Sequence, residues 1–185
     1  PNLGETLKNY FNPNLRLIRD MPKPVIAAVN GAAAGAGANI ALACDIVLAA
    51  RSAKFLQAFA RIGLIPDAGG SWSLPRLVGP ARARGLAMLA EPIGAETAEE
   101  WGLIWKAVND DSLMAEAQET AMKLANGPTL GLALTKQAML SAATNSLEEQ
   151  LLMEEQLQAR AGASDDYREG VSAFLEKRPA KFSGR

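Results

Sequence analysis

Residues 25–50, VIAAVNGAAAGAGANIALACDIVLAA, constrain the fold more than any other part of the chain. The apolar runs at the two ends, VIAAVN and DIVLAA, predict buried strands, because short apolar runs rich in β-branched residues suit them. Between these runs, GAAAGAG predicts a flexible turn and ANIALAC a short buried helix. The order of strand, turn, helix and strand favours an α/β fold.

The rest of the chain divides into a mixed first part and a helical last part. Strands are predicted in KFLQAF and LIWKAVN, and helices over 4–20 and in SWSLPRLVG, PARARGLAMLA and AETAEEWG. After residue 111 the apolar spacing predicts only helices, over 112–125, 129–143, 146–161 and 164–176, with Ser112, Ser146 and Ser164 as N-caps. We therefore expect an α/β core over residues 1–111 and a helical region over residues 112–185.

The composition excludes several classes of protein. The formal net charge is −1, so no global field attracts nucleic acid or an anionic membrane. No apolar run reaches the length of a membrane span. The chain has no histidine and one cysteine, Cys44. A Ser/His/Asp triad, an intrachain disulfide and the usual zinc sites are thereby excluded, and we expect no metal site.

The glycine-rich stretch from Asn30 to Gly37 follows a predicted strand and precedes a predicted helix. Its small side chains leave backbone N–H groups free to bind an anion, either a phosphate or an oxygen that gains charge during a reaction. It lacks the Lys-Ser/Thr pair of a P-loop and the glycine spacing of the dinucleotide fingerprint. On the spacing alone, close packing of helix on strand is the favoured interpretation.

GLIPDAGG, residues 63–70, places Asp67 between a proline and a glycine pair. In a chain without histidine, a carboxylate is the expected carrier of a proton. Aspartate is also a preferred N-cap, and from the residues alone a capping role is favoured. Exclusion of water by the neighbouring apolar side chains would raise the pKa of this carboxyl, and a helix N-terminus would oppose the rise. Those apolar side chains are Phe59, Ile62, Leu64 and Ile65.

Several segments in the same order resemble the enoyl-CoA hydratase/isomerase, or crotonase, superfamily. The similarity runs from about Lys23 to Phe182. Its segments are KPVIAAVNGAAAGAGANIALACDIVLAARSAKF, GLIPDAGGSWSLPRLVGPARA, AEEWGLIWKAV and FLEKRPAKF. The resemblance implies a spiral of ββα units followed by a helical region that builds a homotrimer or a dimer of trimers. Residues 1–111 would then be a partial crotonase-like core that lacks the N-terminal strands, and residues 112–185 the oligomerisation region.

The resemblance also implies an acyl-CoA thioester substrate, held by two backbone N–H groups at the thioester oxygen. One of these donors is the N–H of Ala36, flanked by Gly35 and Gly37, and the other belongs to a loop upstream of Pro1. Coenzyme A is part of the substrate, and no cofactor is expected. The expected location is cytoplasmic, without nucleic-acid or membrane partners.

Five further positions acquire expected roles from the resemblance. The two catalytic glutamates of the hydratases correspond to Asn39 and Phe59, which cannot activate water and would instead line the substrate site. Asp67 matches the place where some isomerases carry their catalytic acid. Trp72 is expected to wall an aromatic acyl group, and Lys177 to meet the CoA phosphates. A place in the core or at an interface is the simpler interpretation of Trp72, and a solvated tail is the alternative for Lys177.

IPDAGG and DYREGVSAFLEKR are most similar to members of the family that rearrange a ring epoxide, carried as a CoA thioester, to an oxepin. We therefore expect an acyl-CoA isomerase in which Asp67 carries the proton. A double-bond isomerase or a hydratase acting on enoyl-CoA is the nearest alternative. From another class, a non-catalytic CoA-binding subunit would need no acid at position 67.

Overall fold

The computed structural model describes residues 2–185, which form two compact units. The first unit comprises residues 2–19 and 25–117, and the second comprises residues 20–24 and 118–185. The domain boundary expected after residue 111 stays a prediction, because compactness in space does not test independent folding.

The strands of the first unit form two small sheets of three strands each. The first sheet has the order β1–β3–β6, and both of its pairings are parallel. The second has the order β2–β4–β5, in which β2 and β4 are parallel and β4 and β5 antiparallel. The strands are β1 (Ile26–Val29), β2 (Ala32–Ala34), β3 (Ile46–Ala50), β4 (Lys54–Leu56), β5 (Ile93–Gly94) and β6 (Lys106–Val108).

The first four strands alternate between the two sheets, and a helix follows each pair of them. β1 and β2 lead into a short helix, and β3 and β4 lead through a 3₁₀ turn, Ala58–Ile62, into a long one. The chain thus repeats a ββα unit. The helices of the first unit are α1 (Leu3–Thr6), α2 (Asn12–Asp20), α3 (Ala36–Leu42), α4 (Gly70–Leu89), α5 (Ala95–Glu100) and α6 (Leu113–Ala125), the last of which continues into the second unit.

Two of these helices are irregular. A π-helical turn, Leu7–Phe11, joins α1 to α2 just before Pro13. Helix α4 is interrupted at Gly79, whose φ of 76° and ψ of 164° are not helical, and Pro80 opens its second half. Proline suits the first turn of a helix, where its missing N–H has no role. The predicted pair of helices with Pro80 at the start of the second is therefore confirmed.

The core of the first unit is rich in alanine. Ala38, Ala49, Ala95 and Ala98 are inaccessible to solvent, and they pack with larger residues such as Leu48 and Leu74. Side chains this small bring helices close to the sheets.

The second unit is helical, with α7 (Thr129–Ala142), α8 (Leu147–Gly162) and α9 (Asp165–Leu175) following α6. Ser146 caps α8 in a capping box with Glu149, and Ser164 caps α9 by accepting the N–H of Tyr167. Both predicted N-caps are confirmed. Within residues 2–185, no helix combines the length and apolar composition needed to cross a bilayer.

Three expectations for local structure were wrong. GAAAGAG contains strand β2, because its three alanines pair in parallel with β4. Strand β5 was missed, since two residues give no period to detect. Ser112 lies in a 3₁₀ turn, Asp110–Ser112, and its hydroxyl donates to the carboxylate of Asp111 instead of capping α6.

Candidate active site

The turn between β2 and α3 contains the expected N–H donor. Gly35 has a φ of 54° and a ψ of −127°, and its N–H donates to the Leu56 carbonyl at 2.8 Å. This backbone conformation favours glycine. Ala36 opens α3, so its N–H has no acceptor within the helix and is available to a ligand. Gly37 follows in the first turn and is exposed.

The Phe59 ring packs against this turn. Its Cζ lies 3.5 Å from the position that a side-chain carbon on Gly35 would occupy, and the residue is buried. Phe59 thus forms an apolar wall beside the Ala36 N–H. The position that the family resemblance assigns to a hydratase glutamate thus carries no group able to activate water.

Asn39 connects the glycine turn to the loop that carries Asp67. Its backbone N–H donates to the Gly35 carbonyl at 3.2 Å, and its Nδ2 donates to the main-chain carbonyl of Asp67 at 2.8 Å. Its Oδ1 accepts from Gln57 Nε2, also at 2.8 Å. Asn39 is 1% exposed and Gln57 3%. Both polar atoms of the Asn39 amide are thus hydrogen-bonded within the protein. Asn39 can therefore line a substrate only through van der Waals contact.

Gly70 makes room for this amide. A side-chain carbon on Gly70 would lie 2.2 Å from Asn39 Nδ2 and 2.6 Å from its Cγ, closer than any contact that real structures tolerate. The second glycine of PDAGG is therefore required by the Asn39 side chain and not by its own backbone angles.

The Asp67 side chain does not cap α4. The N-cap is Gly69, with a φ of 77°, and Gly70 N–H donates to the main-chain carbonyl of Asp67 at 2.8 Å. Among residues 2–185, Asp67 Oδ1 and Gln57 Oε1 are the buried side-chain oxygens without a hydrogen-bond partner. Burial raises the pKa of the Asp67 carboxyl, and a hydrogen bond from its own backbone opposes the rise. A carboxyl of this kind is suited to hold and release a proton.

The apolar residues expected to shield Asp67 behave differently from one another. Phe59 is buried, but Ile62 is 73% exposed and Ile65 79%, and Leu64 is also exposed. The expectation that these last three exclude water is wrong for the single chain. The 3₁₀ turn ends at Gly63 in a left-handed conformation, and the following residues run along the surface.

Trp72 lies in the first turn of α4 and contacts two arginines. The guanidinium carbons of Arg19 and Arg76 lie 4.3 Å and 4.1 Å from its ring centroid. Trp72 borders a cavity of about 520 Å³ that Leu15, Arg16, Arg19, Ala68 and Gly69 also line. The aromatic wall expected at Trp72 stays a prediction.

Lys177 belongs to the second unit. It follows α9, is exposed and has a φ of 54°, a left-handed conformation unusual for lysine. The next residue, Arg178, is held by Glu169 and Glu176, with 2.6 Å between the charged atoms of each pair. The CoA-phosphate role of Lys177 stays a prediction.

The structure therefore brings Gly35, Ala36, Asn39, Phe59 and Asp67 together. Sequence reasoning missed Gln57, although an amide two positions before Phe59 in the apolar run KFLQAF was a usable signal. Within the described residues, no cluster of three or more carboxylate or thiol side chains is placed to hold a metal ion.

Comparison with known proteins shows the family of the chain. Residues 2–185 match the family model described as enoyl-CoA hydratase/isomerase. The chain belongs to this family. It is 56% identical over 185 residues to 1,2-epoxyphenylacetyl-CoA isomerase of Escherichia coli, of which it spans 71%. It is 40% identical over 167 residues, 90% of the chain and 64% of the relative, to crotonyl-CoA hydratase of Syntrophomonas wolfei.

A solved enoyl-CoA hydratase from Polaromonas sp. JS666 superimposes with a TM-score of 0.91 at 38% identity, over 98% of this chain and 72% of that one. The predicted family and fold class are thereby confirmed. So is the prediction of an enzyme whose family acts on acyl-CoA thioesters.

Proposed function

We propose that this member of the enoyl-CoA hydratase/isomerase family isomerises 1,2-epoxyphenylacetyl-CoA, with Asp67 as the proton carrier. The proposal depends chiefly on one observation: the Asp67 carboxyl has a buried oxygen without a partner, while its main-chain carbonyl holds the loop in place. The 56% identity to the E. coli isomerase supports the choice of substrate.

In the proposed mechanism the thioester oxygen accepts the Ala36 N–H, together with the second N–H donor that the family resemblance implies. Negative charge that develops on this oxygen is stabilised, so the carbon next to the carbonyl becomes acidic. Asp67 removes or returns the proton at that carbon. This chemistry requires no cofactor, since coenzyme A is part of the substrate.

The same geometry argues against efficient hydration. The family resemblance assigns Asn39 and Phe59 to the positions of the hydratase glutamates, and both side chains are committed to packing or to protein hydrogen bonds. We propose that the enzyme adds water to crotonyl-CoA no faster than a trace rate. Efficient hydration by the wild type would count against this proposal.

Turnover by the full-length protein tests the function. Wild type and Asp67→Asn are incubated with 1,2-epoxyphenylacetyl-CoA and with a panel of enoyl-CoA thioesters, and products are analysed by absorbance and mass. Isomerisation changes the absorbance at constant mass, and hydration adds the mass of one water. Isomerisation that is lost in Asp67→Asn supports the proposal. A protein that binds CoA esters but turns over none would be a non-catalytic subunit.

A double-bond isomerase is the second candidate, because one proton carrier beside an N–H donor is also sufficient to move a double bond. The enoyl-CoA panel separates the two functions. A rate on an unsaturated straight-chain thioester that exceeds the rate on the ring epoxide would favour this second candidate.

We further propose a homotrimer or a dimer of trimers in the cytoplasm. Large apolar side chains are exposed on both units. On the second unit they include Met139, Leu147, Leu152, Phe174 and Leu175, and on the first Ile62, Ile65, Met88 and Leu89. Apolar surface of this extent is typical of an interface. A well-folded monomer at micromolar concentration in sedimentation would contradict the oligomer.

A further inference from the structure

We propose that Asn39 and Gln57 are positioning residues for Asp67, and that they fix the distance between its carboxyl and the Ala36 N–H. We call the connection from Gln57 Nε2 through the Asn39 amide to the Asp67 main-chain carbonyl the amide bridge. The inference rests on the proposed function, because it assumes that Asp67 carries the proton.

The amide bridge has only one orientation. The Asp67 carbonyl is an acceptor, so Asn39 must present its Nδ2 there. Asn39 Oδ1 then faces Gln57, which must present its Nε2 as donor. Gln57 Oε1 is left as a buried acceptor without a partner. Reversal of either amide would place like atoms against each other, so a single arrangement is specified.

Asn39, at the centre of the amide bridge, joins the two parts of the site. Its backbone N–H is bonded to Gly35, the residue before the Ala36 donor. Its side chain is bonded to the backbone of Asp67. The Gly35 N–H also bonds the carbonyl of Leu56, which precedes Gln57. Gly35, Asn39, Gln57 and Leu56 thus form a closed circuit of bonds, and the Asn39 side chain ties the Asp67 backbone to it. A shift of Asp67 away from this circuit would break its bond to Asn39.

The environment makes this circuit rigid. Asn39 and Gln57 are almost fully buried, so water cannot replace a bond that opens. Position 70 has no space for a larger residue, because a side-chain carbon there would overlap the Asn39 amide. The family resemblance places a catalytic acid of the hydratases at position 39. In this chain the residue at position 39 instead holds the loop that carries Asp67.

The test uses Asn39→Leu, which keeps the approximate volume and removes both side-chain bonds. Activity is measured with the acyl-CoA that the wild type turns over, and folding by the melting temperature. We expect kcat to fall roughly 10- to 100-fold, as for a catalytic group displaced by about 1 Å, with KM changed less than about twofold. Gln57→Met opens the amide bridge at its far end and should lower kcat by a smaller factor, which keeps the test valid if Asn39→Leu does not fold.

The decisive measurement repeats Asn39→Leu in an Asp67→Asn background, by single turnover at high enzyme concentration. If Asn39 acts through Asp67, the second substitution should change the residual rate less than about twofold. Gln150→Leu is the matched control. It removes an amide bond to a backbone carbonyl, Ala138 at 3.1 Å, in the second unit, and should leave kcat unchanged.

Two results would overturn the inference. One is an unchanged kcat with a lowered melting temperature in Asn39→Leu and Gln57→Met, which would make the amide bridge purely structural. The other is an undiminished effect of Asn39→Leu in the Asp67→Asn background. Full turnover by Asp67→Asn would overturn the proposed function as well, whereas loss of turnover there with normal kcat in Asn39→Leu would overturn only this inference.

Discussion

Two aspartates of this protein are used in opposite ways. Asp166, 3% exposed at the start of α9, accepts the N–H groups of Ser183 and Gly184 at 2.7 to 3.2 Å and the Ser183 hydroxyl at 3.3 Å. Asp67 holds its surroundings through its main-chain carbonyl and leaves a buried carboxyl oxygen without a partner. A carboxylate with several donors fixes structure, and one without them is available for chemistry.

The largest expected effect is on turnover in Asp67→Asn. The main-chain carbonyl and its two bonds remain, so the melting temperature should change little. Removal of the proton carrier should lower kcat by roughly two to four orders of magnitude. Asp111→Asn, an exposed aspartate, is the control and should keep the wild-type rate. A folded Asp67→Asn enzyme with most of its turnover would remove the contrast with Asp166.

Gly70→Ala tests whether the loop that carries Asp67 tolerates loss of the hydrogen bond to its main-chain carbonyl. The new methyl group would overlap the Asn39 amide and break the bond to the Asp67 carbonyl. We expect a loss of about 3 kcal/mol in unfolding free energy, measured by chemical denaturation, and a reduced kcat. Gly85→Ala within α4, where a methyl group meets nothing within 4 Å, should be neutral or stabilising.

Asp166→Ala should lower the stability of the fold and leave turnover unchanged, whereas Asp67→Asn should lower turnover and leave stability unchanged. Loss of the carboxylate frees the N–H groups of Ser183 and Gly184, so we expect about 2 kcal/mol of destabilisation. The terminal residues should also be cleaved faster in limited proteolysis. A variant as stable as the wild type would show that these hydrogen bonds only replace bonds to water.

The smallest effect concerns Glu169. A hydrogen bond from the Arg178 guanidinium, aided by the Lys181 N–H, lowers the pKa of this carboxyl from 4.5 to about 2. An acid with a lowered pKa stabilises the fold above its ordinary pKa, and this contribution disappears as the pH falls towards the lowered value. Glu169→Gln should therefore melt slightly below the wild type at neutral pH, with a gap that closes between about pH 4.5 and 2.

Glu155→Gln on α8, an exposed position, controls for the loss of one surface charge. The ion pair of Glu169 is partly exposed, so salt should also reduce the gap. A gap that stayed constant down to pH 2 would contradict the shifted pKa.

Sequence patterns predicted most of the helices and the longer strands, because apolar spacing depends on neighbouring residues. They missed β2, since three alanines have little strand preference and only pairing with β4 makes them a strand. The exposure of Ile62 and Ile65 was also unpredictable, because an exposed apolar side chain and one in a core look alike in a sequence.

The site was predicted unevenly for the same reason. Asp67 and the Ala36 turn stand in recognisable motifs. The bonds of Asn39 do not, because its partners lie 18 and 28 positions away along the chain. A polar residue at position 39 indicated only that the hydratase acid was missing, and the fold was needed to show what had taken its place.

The alanine-rich core also determines which changes this protein tolerates over many generations. Positions such as Ala38, Ala49, Ala95 and Ala98 have almost no side chain to lose, so truncation there removes little packing. Enlargement by even one or two carbons would force helix and sheet apart. At these alanine positions the harmful substitutions are therefore those that add volume, because there is hardly any side chain whose loss could leave a cavity. Attempts to raise heat resistance by enlarging these alanines should therefore fail.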